Sequence, residues 1–157
     1  MADDAIKDLV SQGLAAAKSG SQVAAKATAE IQNDAKHPDL KAALQQGNET
    51  SKQWSQRIDQ AVQEVGGVPA IENQILQAHY DVSKKIRQDA KDDQSRDLGI
   101  IAAGQLALHY WIASFGTLQS YAAKVGMTQT ADNMRKSVEE AKQADEQHTQ
   151  LARSIMG

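Results

Sequence analysis

The sequence predicts an all-α fold: a bundle of four long helices with a short fifth helix in the link between the second and the third. Three observations carry this. The chain holds 26 Ala and 19 Gln against 2 Pro; the first two are good helix formers and Pro is the strongest breaker. Apolar residues recur at spacings of three and four, the period of a helix buried on one face. Turn residues fall between the periodic stretches. With 157 residues, one domain covering 1–157 is expected.

The elements follow in order. Asp3 and Asp4 precede the first apolar series and suit an N-cap. Ile6, Val10, Leu14 and Ala17 are resumed by Val23, Ala24, Ala27 and Ile31. One helix ending near Ala35 is expected, since interior Gly20 costs only about 1 kcal/mol against Ala. His37-Pro38-Asp39 marks a turn with Pro38 at the first helical position. Leu40, Leu44, Gly47, Ser51, Trp54, Ile58, Val62 and Val65 then form one stripe, and Gly66-Gly67 closes it. Pro69 is expected to open the short helix, with Ile71, Ile75, Val82 and Ile86 as its apolar side and an end near Ala90. From Ser95 to Lys124, Ile100, Ile101, Gly104, Ala107, Leu108, Trp111, Ile112, Phe115, Leu118 and Ala122 make a face wide enough for burial on more than one side. Gly126 is placed to stop that helix and Thr128 to cap the last. The last helix carries Met134, Val138, Ala141, Asp145, His148, Leu151 and Ile155.

Composition excludes several classes. There is no cysteine, so disulfides, thiolate metal sites and thiol nucleophiles are out. Seventeen basic residues face twenty acidic ones, net −3, which argues against nucleic acid as a partner. Leu98–Phe115 is apolar but interrupted by Gln105 and His109 and diluted by Ala and Gly, so no membrane span is expected. The N-terminus lacks a basic segment followed by an apolar run; no signal peptide is read, and the cytoplasm is the expected location. No serine sits in a Gly-x-Ser-x-Gly elbow and no glycine loop is built for phosphate.

His37-Pro-Asp-Leu-Lys-Ala-Ala-Leu44 at a helix junction, Leu98-Gly-Ile-Ile-Ala-Ala-Gly-Gln105 followed by His109-Tyr-Trp-Ile-Ala-Ser-Phe-Gly-Thr-Leu118, and Val138-Glu-Glu-Ala-Lys-Gln-Ala-Asp145 together resemble the bacterial ferritin-like stress proteins typified by YciE and YciF. The resemblance runs from about Ala5 to Ala152. It implies a four-helix bundle, commonly a homodimer, with a two-metal site at its centre. Such a site needs carboxylates and histidines projecting inward from all four helices.

Carried over residue by residue, most of that set is missing. The family's Glu on the first helix falls in Lys18-Ser-Gly-Ser21. Glu49 survives in a Glu-Thr pair, but helical phase turns it away from Leu40 and Ile58. The family's Glu residues flanking His-Tyr are Leu108 and Trp111, while His109 remains. On the last helix Ala141 stands for a Glu, and Asp145 remains. The expected centre is therefore apolar packing by Ser21, Trp54, Leu108, Trp111 and Ala141, with no cofactor. Replacing a buried charged cluster by apolar groups leaves a fold intact.

Asp145, His148, His109 and Glu49 are the weak metal candidates, for iron or manganese. Asp145 and His148 share a helix face and read either as half of a metal site or as a buried Asp–His hydrogen bond. His109 reads as a ligand contact or as a histidine satisfied at a helix seam. Trp54 and Trp111 read as core, or as walls of a small apolar pocket with room left by Gly47, Gly104 and Ala141; Thr50, Ser51, Asp145 or water are available to the indoles. His79, Glu72, and the pairs Glu139-Glu140 and Asp92-Asp93 read as surface. Leu106, Tyr110 and Tyr121 lie off the main stripe and suit a second copy or the short helix. The residues favour a non-enzymatic, dimeric bundle acting through its surfaces. The alternatives are a metal-binding oxidoreductase or storage protein and a binder of small apolar ligands.

Overall fold

Turn chemistry divides the chain close to where the sequence places its breaks. The computed structural model describes residues 2–157, which form α1 (Ala2–Asp34), α2 (Pro38–Glu64), α3 (Gln74–Asp89), α4 (Asp93–Lys124) and α5 (Thr128–Met156). Helix α1 is continuous through Gly20, and Asp3 and Asp4 sit inside its first turn rather than capping it; there their charge meets the positive end of the helix dipole. Pro38 opens α2 behind His37, whose imidazole accepts the N–H of Asp39. Gly66 and Gly126, both at positive φ, end α2 and α4. In each case the next residue returns its N–H to a carbonyl five residues back, Gly67 to Val62 and Met127 to Ala122, the glycine-ended helix stop.

Two starts differ from expectation. Pro69 opens no helix: residues 65–73 form a link, and α3 begins only after Asn73, whose side chain accepts the N–H of Leu76. Asn73 is held from three sides, by Ser19, by the Ala16 carbonyl and by the Tyr110 hydroxyl, so tertiary anchoring sets where α3 starts. Thr128 is the first residue of α5 and not its cap, which is Met127 without a side-chain bond. By contrast α4 starts with a full capping box between Asp92 and Ser95. The Ser95 backbone N–H holds the Asp92 carboxyl below its usual range.

Residue pairings fix the topology. Gly13 lies by Leu118 and Gly20 by Trp111, so α1 and α4 are antiparallel. Arg57 meets Ser137 and Gln60 meets Asn133, so α2 and α5 are antiparallel as well. Helices α4 and α5 form a tight hairpin, and α3 runs down the outside of the seam between α1 and α4. Helix α4 is long and apolar enough by length and composition to cross a membrane; here α1, α3 and α5 pack against it.

The short helix turns a different face inward than its isoleucines suggest. Leu76, Ser83 and Arg87 are buried, while Ile71, Ile75, Val82 and Ile86 are exposed, Ile75 by 69%. Arg87 explains the choice. Its guanidinium meets Asp34 at 2.8 Å, Ser83 at 2.7 Å and Glu30 at 3.4 Å. A buried guanidinium is tolerated only with such partners, and the two carboxylates lie along the C-terminal half of α1.

Candidate functional site

The interior is divided. One apolar cluster holds Leu14, Trp54, Ile58, Trp111, Phe115 and Met134; a second holds Ala35, Leu40, Ile100 and Ile101 with Leu44, Leu151 and Ile155 packed on it. Between them the helices present small side chains: Ala24 and Thr28 from α1, Gly47 and Ser51 from α2, Ala103, Gly104 and Ala107 from α4, and Ala144 from α5. Small residues on every wall leave a gap, and a cleft of about 610 Å³ results, closed further by His79 and Tyr80 of α3 and by Leu108, Trp111 and His148. A second cleft, about 520 Å³, lies between α1 and α2 and includes Ser21, Glu49 and Trp54.

Aromatic packing forms one wall. Trp54 meets the edge of Phe115 at 5.2 Å, Trp111 stacks on Phe115 at 5.0 Å, and the two indoles lie 6.2 Å apart. The Trp54 N–H donates to the Glu140 carboxylate at 3.0 Å, a partner absent from the expected set. The same carboxylate takes the Arg57 guanidinium, which also donates to Ser137 at 3.1 Å. Glu140 is thus a half-buried ion-pair partner and not a water-facing charge, whereas Glu139 is exposed.

The four weak metal candidates do not converge. Glu49 is exposed and pairs with Lys52 one turn on, at 3.2 Å. Asp145 and His148 do not bond to each other. Asp145 meets His109 of α4 at 3.0 Å, and that imidazole is 65% exposed. The second Asp145 oxygen is buried with no hydrogen-bond partner. His148 Nδ1 faces the Ala144 carbonyl at 2.8 Å; a carbonyl only accepts, so in the neutral ring Nδ1 carries the proton and Nε2 is an acceptor. Nε2 lies against Gly104, where a Cβ would stand 3.2 Å away.

Of the residues expected to pack the centre, Trp54, Trp111 and Ala141 are buried in the first cluster. Leu108 is half-buried against it, and Ser21 is half-buried on the cleft between α1 and α2. Gly47 borders the cleft, and a Cβ there would meet nothing within 4 Å. Tyr110 does meet the α3 segment, through Asn73; Leu106 and Tyr121 stay exposed. Glu72 is on the surface, but His79 is half-buried and borders the cleft. Burial lowers its pKa from the ordinary 6.5. Burial pushes the neighbouring Tyr80 phenol up to about 12, and its hydroxyl makes no hydrogen bond to any described residue.

A two-metal centre carries four positive charges and needs several converging carboxylates. Among the described residues no three His, Asp or Glu side chains are placed to share an ion. Glu140, a half-buried carboxylate that borders the cleft, is already neutralised by Arg57. The donor set does not fit the group. Sequence reasoning missed the groups that do hold the helices together: Asn73, Arg87, Glu140, and Asp97 of α4, which accepts backbone N–H groups of the turn between α1 and α2. The available signal was position, since Asp97 precedes Ile100 and Ile101 by one turn on the face they share.

A long-helix bundle with antiparallel pairs and a crossover link defines a ferritin-like helical protein. Residues 5–157 match the family described as Domain of unknown function (DUF892), and the chain belongs to it. It is 29% identical over 99 residues to Protein YciF of Escherichia coli (strain K12); that alignment covers 62% of this chain and 60% of that protein, under two thirds of the relative's length. Among solved structures, the E. coli stress protein YciF matches with TM-score 0.91 at 25% identity, over 96% of both chains. YcfI of Rhodopseudomonas palustris, described as a structural protein, matches with TM-score 0.86 at 23% identity over 92% of both.

Proposed function

We propose that this chain is a stress-associated, non-catalytic ferritin-like bundle that works as a homodimer and keeps its centre free of metal. The observation that carries the reading is the engagement of Glu140 by Arg57 and Trp54. A half-buried carboxylate bordering the central cleft instead ties α2 to α5. Likeness to a protein named as a stress protein supports the stress association. The exposed series Ile75, Val82 and Ile86 along α3 supports a second copy as partner, because one helix stripe is self-complementary across a two-fold axis.

The test is metal loading. Untagged protein is incubated with Fe(II) or Mn(II), desalted and assayed by mass spectrometry beside an Asp145→Asn, His148→Gln double variant. Wild type is expected to retain no stoichiometric metal. About one ion per chain, lost in the variant, would overturn the metal-free reading in favour of storage or redox chemistry. For the dimer, light scattering of wild type and Val82→Glu is expected to give a dimer and a monomer; a wild-type monomer at high concentration removes that part.

A further inference from the structure

We infer that the cleft between the two apolar clusters is a binding site for an uncharged, mainly apolar ring compound carrying a hydroxyl group. Its volume of about 610 Å³ lies within the usual range of small-molecule sites. Its walls include Trp54, Trp111, Leu108 and Ile100, aromatic and aliphatic surface that gains from leaving water. This does not depend on the dimer or on the absence of metal.

Polarity defines the ligand. Tyr80 offers an O–H with no partner among the described residues, and its raised pKa keeps that proton in place. His148 Nε2 offers a lone pair, because Nδ1 is committed to Ala144. Gly104 makes this possible, since its missing side chain leaves room for the imidazole. A hydroxyl can accept from the first or donate to the second. Charge is disfavoured: Glu140 is neutralised by Arg57, Glu49 at the rim is paired with Lys52, and the lowered pKa of His79 keeps it neutral near neutral pH. Among the described residues lining the cleft, neither carboxylate is left unpaired to meet an ionic ligand.

The probe is 2-naphthol, with naphthalene as the control lacking the hydroxyl. Binding is read by calorimetry and by emission of Trp54 and Trp111. The chain has only these two tryptophans, and both border the cleft. Saturable binding of one naphthol per chain with changed emission is expected. Tyr80→Phe should weaken naphthol about five-fold, the worth of one net hydrogen bond, and leave naphthalene unchanged. Ala107→Phe, which fills the cleft, should abolish binding. Gly47→Phe does so from a position with open space around it, and serves if the first variant fails to fold. No saturable binding to wild type up to about 1 mM, the weak end of specific affinity, overturns the inference. So does undiminished binding in a folded cleft-filled variant. Unchanged naphthol affinity in Tyr80→Phe and His148→Phe together overturns the hydroxyl assignment. The metal assay reads independently, so either proposal can fail alone.

Discussion

The Asp97 carboxylate of α4 accepts the backbone N–H of His37 at 2.9 Å, and that of Lys36 at 2.8 Å with its other oxygen. One buried side chain thus holds the turn between α1 and α2 against the start of α4.

Removing that carboxylate exposes its role. Hydrogen bonds to charged groups are worth about 1.5–3 kcal/mol each, so Asp97→Ala should cost about 3 kcal/mol and Asp97→Asn, which keeps one acceptor, about half of that. Urea denaturation checks both. No loss in Asp97→Asn beside a full loss in Asp97→Ala would mean that packing and not hydrogen bonding is the main contribution.

Two helical glycines should respond with opposite sign. At Gly20 a Cβ would stand 2.7 Å from Leu76, 2.9 Å from Asn73 and 3.2 Å from Trp111. Gly20→Ala should therefore destabilise by about 1–3 kcal/mol, overpacking outweighing the propensity gain. At Gly47 nothing lies within 4 Å, so Gly47→Ala should stabilise by up to about 1 kcal/mol. Thermal melts decide it.

Glu140→Ala leaves the Trp54 N–H without its acceptor and the Arg57 guanidinium, 18% exposed, with the Ser137 hydroxyl alone. Breaking a largely buried pair from one side is costly; with this exposure a loss of about 2 kcal/mol is expected. Glu140→Gln should cost less, because its carbonyl still accepts from Trp54. Tryptophan emission should shift in the first variant and hold in the second.

Stability should fall at both pH extremes through two neighbours on α3. Tyr80 titrates near 10 when unfolded and about 12 when folded. Between these values the unfolded chain loses a proton that the native state keeps, so stability drops as pH rises from 10 to 12. His79 has the opposite relation: its folded pKa lies below 6.5, so its contribution is lost as pH falls below that value. Urea midpoints across pH check this, and Tyr80→Phe should remove part of the alkaline fall.

Much of the architecture was legible because it is local. Pro38 fixes its own φ and opens α2. Gly66 and Gly126 occupy positive φ that other residues avoid, so the ends of α2 and α4 could be read from residue type. The candidate site was less legible. Helical phase put Glu49 outside, where it lies. Phase alone could not show that Asp145 turns toward His109 and not toward His148 one turn on, because that depends on where α4 passes.

The sequence by itself determined five helices, their approximate ends and the inward stripes of α2, α4 and α5, since backbone sterics and apolar period act within a few residues. Only the tertiary structure decided which face α3 buries. Its isoleucines favour one side, but Asp34 and Glu30 on α1 offer Arg87 a partnership that the other side lacks. Tertiary contact also decided the partner of Glu140 and the opening between the two apolar clusters. These depend on which side chains meet across helices far apart in the chain, and period along one helix carries no information about that distance.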